Sequence, residues 1–226
     1  MVGLSKGMLA LPLEGYERRS AGEQREVTVA FADIRGFTTL ADCIPPDELV
    51  AVLNIYLVTI INVFRKHEGL INKFGGDSVM AVWNASIDCQ EHALLATVAA
   101  IGAQRAVSEL KRKQPTLPKI NFGIGINTGK VIAGSIGCPD CMEYTVIGDT
   151  VNIAARLTSV VLGGKVWITA STSELVQDYI SVKPMESLEV KGKRQPVKVY
   201  EVEDLNTASA QAFDNERLRG RVRRGG

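Results

Sequence analysis

Apolar and polar positions change period several times along this chain, and each change marks an element. Val27-Thr28-Val29-Ala30-Phe31-Ala32 is a nearly unbroken apolar run that stops at Asp33, which predicts a strand over Val27–Asp33 and a short helix near Phe37–Asp42. Pro45-Pro46-Asp47-Glu48 is a helix start, with prolines ahead of the first turn and acids inside it. Leu49, Val52, Leu53, Tyr56, Leu57, Ile60 and Phe64 then follow at helical spacing, so a helix is expected from Asp47 to about His67, ended by Glu68-Gly69. Leu70–Phe74 and Val79–Trp83 read as a hairpin joined through Gly75-Gly76-Asp77-Ser78. A second long helix is expected from Cys89 to about Lys113, stopped by Pro115 and Pro118.

Lys119–Asn127 alternates as a half-buried strand, and Thr128-Gly129-Lys130 reads as a turn into Val131–Ile136. A strand Tyr144–Ile147 leads to a helix Asp149–Val160, then a strand Val166–Thr169 and a short helix near Ser171. Strands near Glu186–Val190 and Val197–Val202 close the pattern. The mixed order predicts an α+β domain in which helices cover one face of an antiparallel sheet, with split-βαβ, ferredoxin-like topology at its start.

Composition adds little to this picture until its charge is placed. With 26 basic and 25 acidic residues the chain is nearly neutral, which argues against a nucleic-acid binder. The tail is uneven: Arg217, Arg219, Arg221, Arg223 and Arg224 outnumber Asp214 and Glu216. The expected organisation is an N-terminal arm or linker over 1–25, a domain over 26–204, and a disordered Arg-rich tail over 205–226. The apolar stretch Leu49 to Phe64 is interrupted by Asn54, Tyr56, Thr59 and Asn62 and reads as too short to cross a bilayer. The N-terminus lacks the pattern of a signal peptide, so a cytoplasmic, reducing setting is expected. There Cys138-Pro139-Asp140-Cys141 reads as a loop, with a reversible disulfide or a metal as the alternatives.

Several motifs fail. Gly129-Lys130 lacks the remainder of a phosphate loop, and Gly123-Ile124-Gly125 lacks the third glycine of a dinucleotide fingerprint. What holds is a set of separated pieces. Asp33 and Asp77 are carboxylates at strand ends beside glycines, a pattern suited to hard cations carrying phosphorylated substrate. The turn from Ile34 to Thr38, including Phe37, offers amides to phosphate oxygens. Asn152 and Arg156 fall at i, i+4 on one helix face after Tyr144-Thr145-Val146-Ile147-Gly148-Asp149. Lys191-Gly192-Lys193 places cations beside a flexible glycine.

In this order and spacing, these residues resemble the catalytic domain of class III nucleotidyl cyclases, from about Val27 to Val202. The resemblance implies a palm-type sheet, a head-to-tail homodimer, and cyclisation of a nucleoside triphosphate with release of pyrophosphate. By motif, Asp33 and Asp77 would hold two divalent cations, Mg²⁺ or Mn²⁺, with the carbonyl of Ile34. Lys73 and Thr145 would read the purine, Asn152 the ribose, Arg156 the transition state and Lys191 the triphosphate. Lys73 and Thr145 point to ATP, because guanylyl members typically carry Glu and Cys there. Threonine at 145, where adenylyl members usually have Asp, resembles a subgroup associated with bicarbonate response, so bicarbonate or another small-molecule activator is an expected partner. A diguanylate cyclase would want Glu-Phe after Gly75-Gly76-Asp77, where this chain has Ser78-Val79. The alternatives are a guanylyl cyclase and a catalytically weak nucleotide-binding regulatory domain. Lys73 and Asp77 sit four residues apart across a tight hairpin, so Lys73 is not expected to face the cations of its own Asp77. Two composite sites related by a two-fold axis resolve this.

Overall fold

The computed structural model describes residues 22–138, 141–190 and 195–206, without the side chains of 137, 138 and 141. Residues 1–21 of the expected arm, residues 207–226 of the expected tail and Lys191 to Arg194 therefore lie outside the described residues.

Strand β1 (Glu23–Arg35) begins inside the span expected to be an arm, because its whole length pairs antiparallel with β4 (Asn121–Cys138). Helices α1 (Phe37–Cys43) and α2 (Pro46–Lys66) lead to the hairpin β2 (Leu70–Phe74) and β3 (Ser78–Trp83), and α3 (His92–Lys113) leads to β4. The strand order β2-β3-β1-β4 with antiparallel neighbours is the expected split-βαβ arrangement.

Beyond β4 the structure departs from the expected pattern. Thr128-Gly129-Lys130 is no turn. These residues pair with Glu26 to Thr28 in the middle of one continuous strand. β5 (Cys141–Ile147) folds back on β4 as a hairpin, and α4 (Asp149–Val160) follows. β6 (Val166–Thr169) then pairs parallel with β4, so the sheet is mixed rather than antiparallel. After α5 (Ala170–Val176), the sheet continues through β7 (Ile180–Pro184) and β8 (Val199–Leu205). The strand expected near Glu186–Val190 contributes an isolated bridge, Leu188 to Val197, among the described residues.

Helices cover both faces, where one was expected. Even-numbered residues of β1 and β4, among them Ala30, Ala32, Phe122, Ile124 and Ile126, pack with Tyr56, Ile60 and Phe64 of α2 and the alanine-rich face of α3. Odd-numbered residues, among them Val27, Val29, Val131 and Ala133, pack with Tyr144 and Val146 of β5 and Ala154 of α4. Alternate faces of a strand meet different layers, which is why one apolar run can serve both cores. By length and composition α2 and α3 are long and apolar enough to cross a membrane, contrary to the reading of Leu49–Phe64 as too short. Here their apolar stripes are spent on the sheet.

Candidate functional site

Asp33 lies near the end of β1 and pairs in register with Ser78, the first residue of β3. The amide of Ile34 donates to the carbonyl of Asp77 at 3.3 Å, which ties the strand end to the hairpin turn. Gly76 adopts φ 77° within that turn, a conformation that costs glycine little. The two carboxylates are therefore brought together by pairing of β1 with β3, although 43 intervening residues include both α1 and α2. Burial raises the Asp33 pKa above its usual value. The Arg35 guanidinium opposes that rise and the Asp77 carboxylate adds to it.

This pair fits a divalent cation. Two carboxylates that repel each other, one of them partly desolvated, gain from a bound positive charge. No group of three or more His, Cys, Asp or Glu side chains stands together among the described residues. The remaining ligands would thus be backbone, water and substrate oxygens, the habit of Mg²⁺ rather than of a closed zinc cage. Gly36, at φ 72°, then turns the chain into α1, whose N-terminus no side chain caps. The first-turn amides, including those of Phe37 and Thr38, have no intrahelical acceptor and face water or a ligand. Phe37 packs partly against the core, and Thr38 is exposed.

Arg35 lies within the Ile34–Thr38 turn read from the sequence, which gave its side chain no role, yet that side chain sits at this wall. Its Nη2 lies 3.2 Å from Asp33 Oδ2 and donates to the carbonyl of Thr158 at 2.6 Å. It thereby joins the carboxylate wall to the last turn of α4, where helix carbonyls favour a cation. Its Nε is buried without a partner.

Helix α4 carries Asn152 and Arg156, both exposed and without a side-chain partner among the described residues. Its position depends on glycines that in sequence look like failed motifs or a turn. A Cβ on Gly123 would lie 2.7 Å from the carbonyl O of Val161, one on Gly125 2.6 Å from the amide N of Thr158, and one on Gly129 2.8 Å from Thr150 Oγ1. These three residues occupy alternate positions on the β4 face beneath α4, so the helix lies almost on the backbone of the strand. Asn127, between them, donates from Nδ2 to the carbonyl of Thr150 at 2.9 Å and accepts from Thr169 Oγ1 at 2.7 Å. That bond holds the first turn of α4, two residues before Asn152.

The strands that carry the expected base-reading pair are linked through a residue that carries no sequence signal of its own. Thr145 of β5 is buried and its hydroxyl bonds to Asn72, the neighbour of Lys73 in β2. Lys73 is exposed and forms no ion pair with Asp77 or any other described residue. Lys191 lies outside the described residues, as do the side chains of Cys138 and Cys141, whose backbones are register partners at the end of the β4–β5 ladder. His92 is tied to Thr28 inside the core, 2.7 Å from its hydroxyl, and takes no part in the site.

The chain thus brings a carboxylate pair together at one strand end, ties Thr145 to the neighbour of an exposed lysine, and leaves an amide and a guanidinium exposed on α4. Comparison with known proteins identifies the family and the fold. A family described as the adenylate and guanylate cyclase catalytic domain matches residues 20–204. Adenylate cyclase 1 of Rhizobium meliloti (strain 1021) is 34% identical over 192 residues, covering 83% of this chain and 29% of that protein. Among solved structures, the guanylyl cyclase Cya2 superposes with a TM-score of 0.78 at 33% identity, covering 82% of this chain and 95% of that one. The adenylyl cyclase CyaB from P. aeruginosa gives 0.76 at 33% identity, covering 81% and 96%. Likeness of this degree to both a guanylyl and an adenylyl cyclase leaves the choice of base to the residues that would meet it.

Proposed function

We propose that this chain, which belongs to the adenylate and guanylate cyclase catalytic domain family, converts ATP to 3′,5′-cyclic AMP and pyrophosphate at two composite sites of a head-to-tail homodimer. The observation that carries the reading is the convergence of two carboxylates far apart in sequence, with three polar groups left open to a ligand. Asp33 and Asp77 converge on one wall, while Lys73, Asn152 and Arg156 stand exposed with no partner among the described residues. A second copy of the chain would complete each wall. Exposed Phe74, Ile132, Met142 and Ile147 around the β2–β3 and β4–β5 hairpins give such a copy apolar surface to cover.

In this reading Asp33, Asp77 and the carbonyl of Ile34 would hold two divalent cations, Mg²⁺ or Mn²⁺. When bound, such ions acidify a hydroxyl and neutralise the leaving pyrophosphate. Lys73 and Thr145 of the other copy hold adenine, and Asn152 orients the ribose so that its 3′-oxygen is in line with the α-phosphorus. That oxygen forms the new bond as the bond to the β-phosphate oxygen breaks, and the hydroxyl proton leaves to water. Arg156 donates to the α-phosphoryl oxygens, a contribution of about 3 kcal/mol for a well-aimed donor. Lys191 is assigned to the triphosphate by motif. Bicarbonate as an activator belongs to the same proposal and is tested by activity with and without it at fixed pH.

The curated Rhizobium relative is more than three times as long as the region this chain matches, and a sensor that regulates the domain is part of the proposal. The experiment incubates purified protein with ATP or GTP and Mg²⁺ or Mn²⁺, and assays cyclic product. Cyclic AMP from ATP in preference to cyclic GMP from GTP is expected. Asp33→Ala and Asn152→Ala proteins, each inactive alone, should recover about a quarter of full activity on mixing, since half the dimers are mixed and each has one intact site. No cyclic product, or no recovery from intact mixed dimers, would refute the reading.

A further inference from the structure

We infer that Asn72 fixes the hydrogen-bond polarity of Thr145 and so sets the preference for an adenine over a guanine base. The inference rests on the proposed function, in which Thr145 meets the base. A threonine hydroxyl can donate or accept, so on its own it distinguishes the two purines poorly.

The fold removes that freedom. The register between β2 and β3 shifts between Ile71 and Lys73, and the irregularity leaves Asn72 buried, at 6% exposure, although it sits on an edge strand. Its Nδ2 donates to the carbonyl of Tyr144 at 3.0 Å. A carbonyl oxygen can only accept, so this bond decides which way the Asn72 amide is turned. Oδ1 then faces Thr145 Oγ1 at 2.9 Å, and since Oδ1 can only accept, the Thr145 proton is committed to it. The strand that carries the threonine is itself anchored, because Tyr144 Oη donates to the carbonyl of Ala85 at 2.7 Å.

What remains on Thr145 for a ligand is lone pairs. An exocyclic amine at purine C6 donates to them, whereas a C6 carbonyl oxygen would oppose acceptor to acceptor. Lys73, next to Asn72 in β2, is a donor without an acceptor function. The pair therefore offers one donor and one acceptor, complementary to the adenine edge, and the acceptor half exists only while Asn72 holds the proton. Asn72 acts through Thr145 and is a positioning residue.

The test compares kcat/KM for ATP, GTP and inosine triphosphate. Asn72→Ala and Asn72→Asp both lose the bond to Tyr144, but the aspartate still accepts from Thr145. The ATP-to-GTP ratio should fall about tenfold in Asn72→Ala and stay within about threefold of wild type in Asn72→Asp. In a Thr145→Val background, Asn72→Ala should change the ratio no further. A structural role alone would lower all rates together and leave the ratio in place. Wild-type protein should reject inosine triphosphate as it rejects GTP, a measurement that needs no variant to fold.

Four results would each overturn the inference. They are an unchanged ratio in Asn72→Ala, an equal fall in both variants, a further fall in the Thr145→Val background, and use of inosine triphosphate on a par with ATP. A wild-type enzyme that makes no cyclic product or prefers GTP overturns the proposed function as well. One that prefers ATP and ignores Asn72 overturns this inference alone.

Discussion

Replacing Gly125 by alanine tests whether the spacing between α4 and the sheet controls activity. The new methyl carbon would sit 2.6 Å from the amide N and 2.9 Å from the Cα of Thr158, where ordinary contact begins at 3.4 Å. Both atoms are helix backbone, so no side-chain rotation relieves the clash, and α4 must retreat by about 1 Å. Overpacking of this kind costs about 1–3 kcal/mol of stability, which leaves the domain folded. The larger effect falls on Asn152 and Arg156, which ride on the same helix. A misplacement of about 1 Å in groups that orient a reacting centre lowers the rate by about a hundredfold.

Cyclase rate at saturating ATP is the assay, with thermal unfolding of the same sample as the control for folding. Gly125→Ala should fall with the Asn152 wall in mixing experiments. It should recover activity when mixed with Asp33→Ala and none when mixed with Asn152→Ala. If Gly125→Ala kept kcat within about twofold of wild type at unchanged Tm, the helix would have tolerated the methyl group, and the close-approach argument would be wrong.

Asn127→Ala leaves the Thr150 carbonyl and the Thr169 hydroxyl without this partner in the core, a loss of about 1–3 kcal/mol, seen as a Tm lower by about 3–8 °C. His92 is buried and its pKa is lowered mainly by that burial, against a smaller upward pull from Glu26. The unfolded chain then binds the proton more tightly, so stability is retained above pH 6.5 and declines as pH falls through that unfolded value. A Tm measured from about pH 7.5 down to about 5.5 should drop in wild type and drop less in His92→Gln. Asp33→Asn should abolish activity and also the rise in Tm on adding Mg²⁺ or Mn²⁺, a linkage readout that needs no turnover. An undiminished rise would place the cation elsewhere.

Much of the fold is legible because local signals and tertiary demands agree. Pro45-Pro46 followed by two acids and an apolar stripe specifies α2, and the structure starts it at Pro46. The expected helix Asp149–Val160 and strand Val166–Thr169 occur with those bounds. Elsewhere a local signal serves a distant need and misleads. Thr128-Gly129-Lys130 has turn chemistry, yet Gly129 lacks a side chain because Thr150 of α4 occupies that space. Gly123 and Gly125 resemble a broken nucleotide loop for the same reason. Tyr179-Ile180-Ser181-Val182 is too short and polar to announce a strand, and β7 exists there because β8 offers it an edge to pair with.

The sequence by itself determined which residues are candidates for the site. Asp33, Asp77, Asn152 and Arg156 stand out because carboxylates fall at strand ends and an amide and a guanidinium fall on one helix face, whereas Lys73 and Thr145 are singled out by the resemblance to cyclases. Only the tertiary structure decided what holds them. Arg35 against Asp33, Asn127 under α4 and Asn72 on Thr145 are contacts across 2, 23 and 73 residues respectively. Even the first of these gains its meaning from Thr158, 123 residues away. A hydrogen bond has direction and needs a partner in space, and periodicity along a chain specifies neither. The threonine at 145 was a candidate base reader by resemblance alone, and only a register shift in another strand gave its hydroxyl the buried Asn72 as a partner.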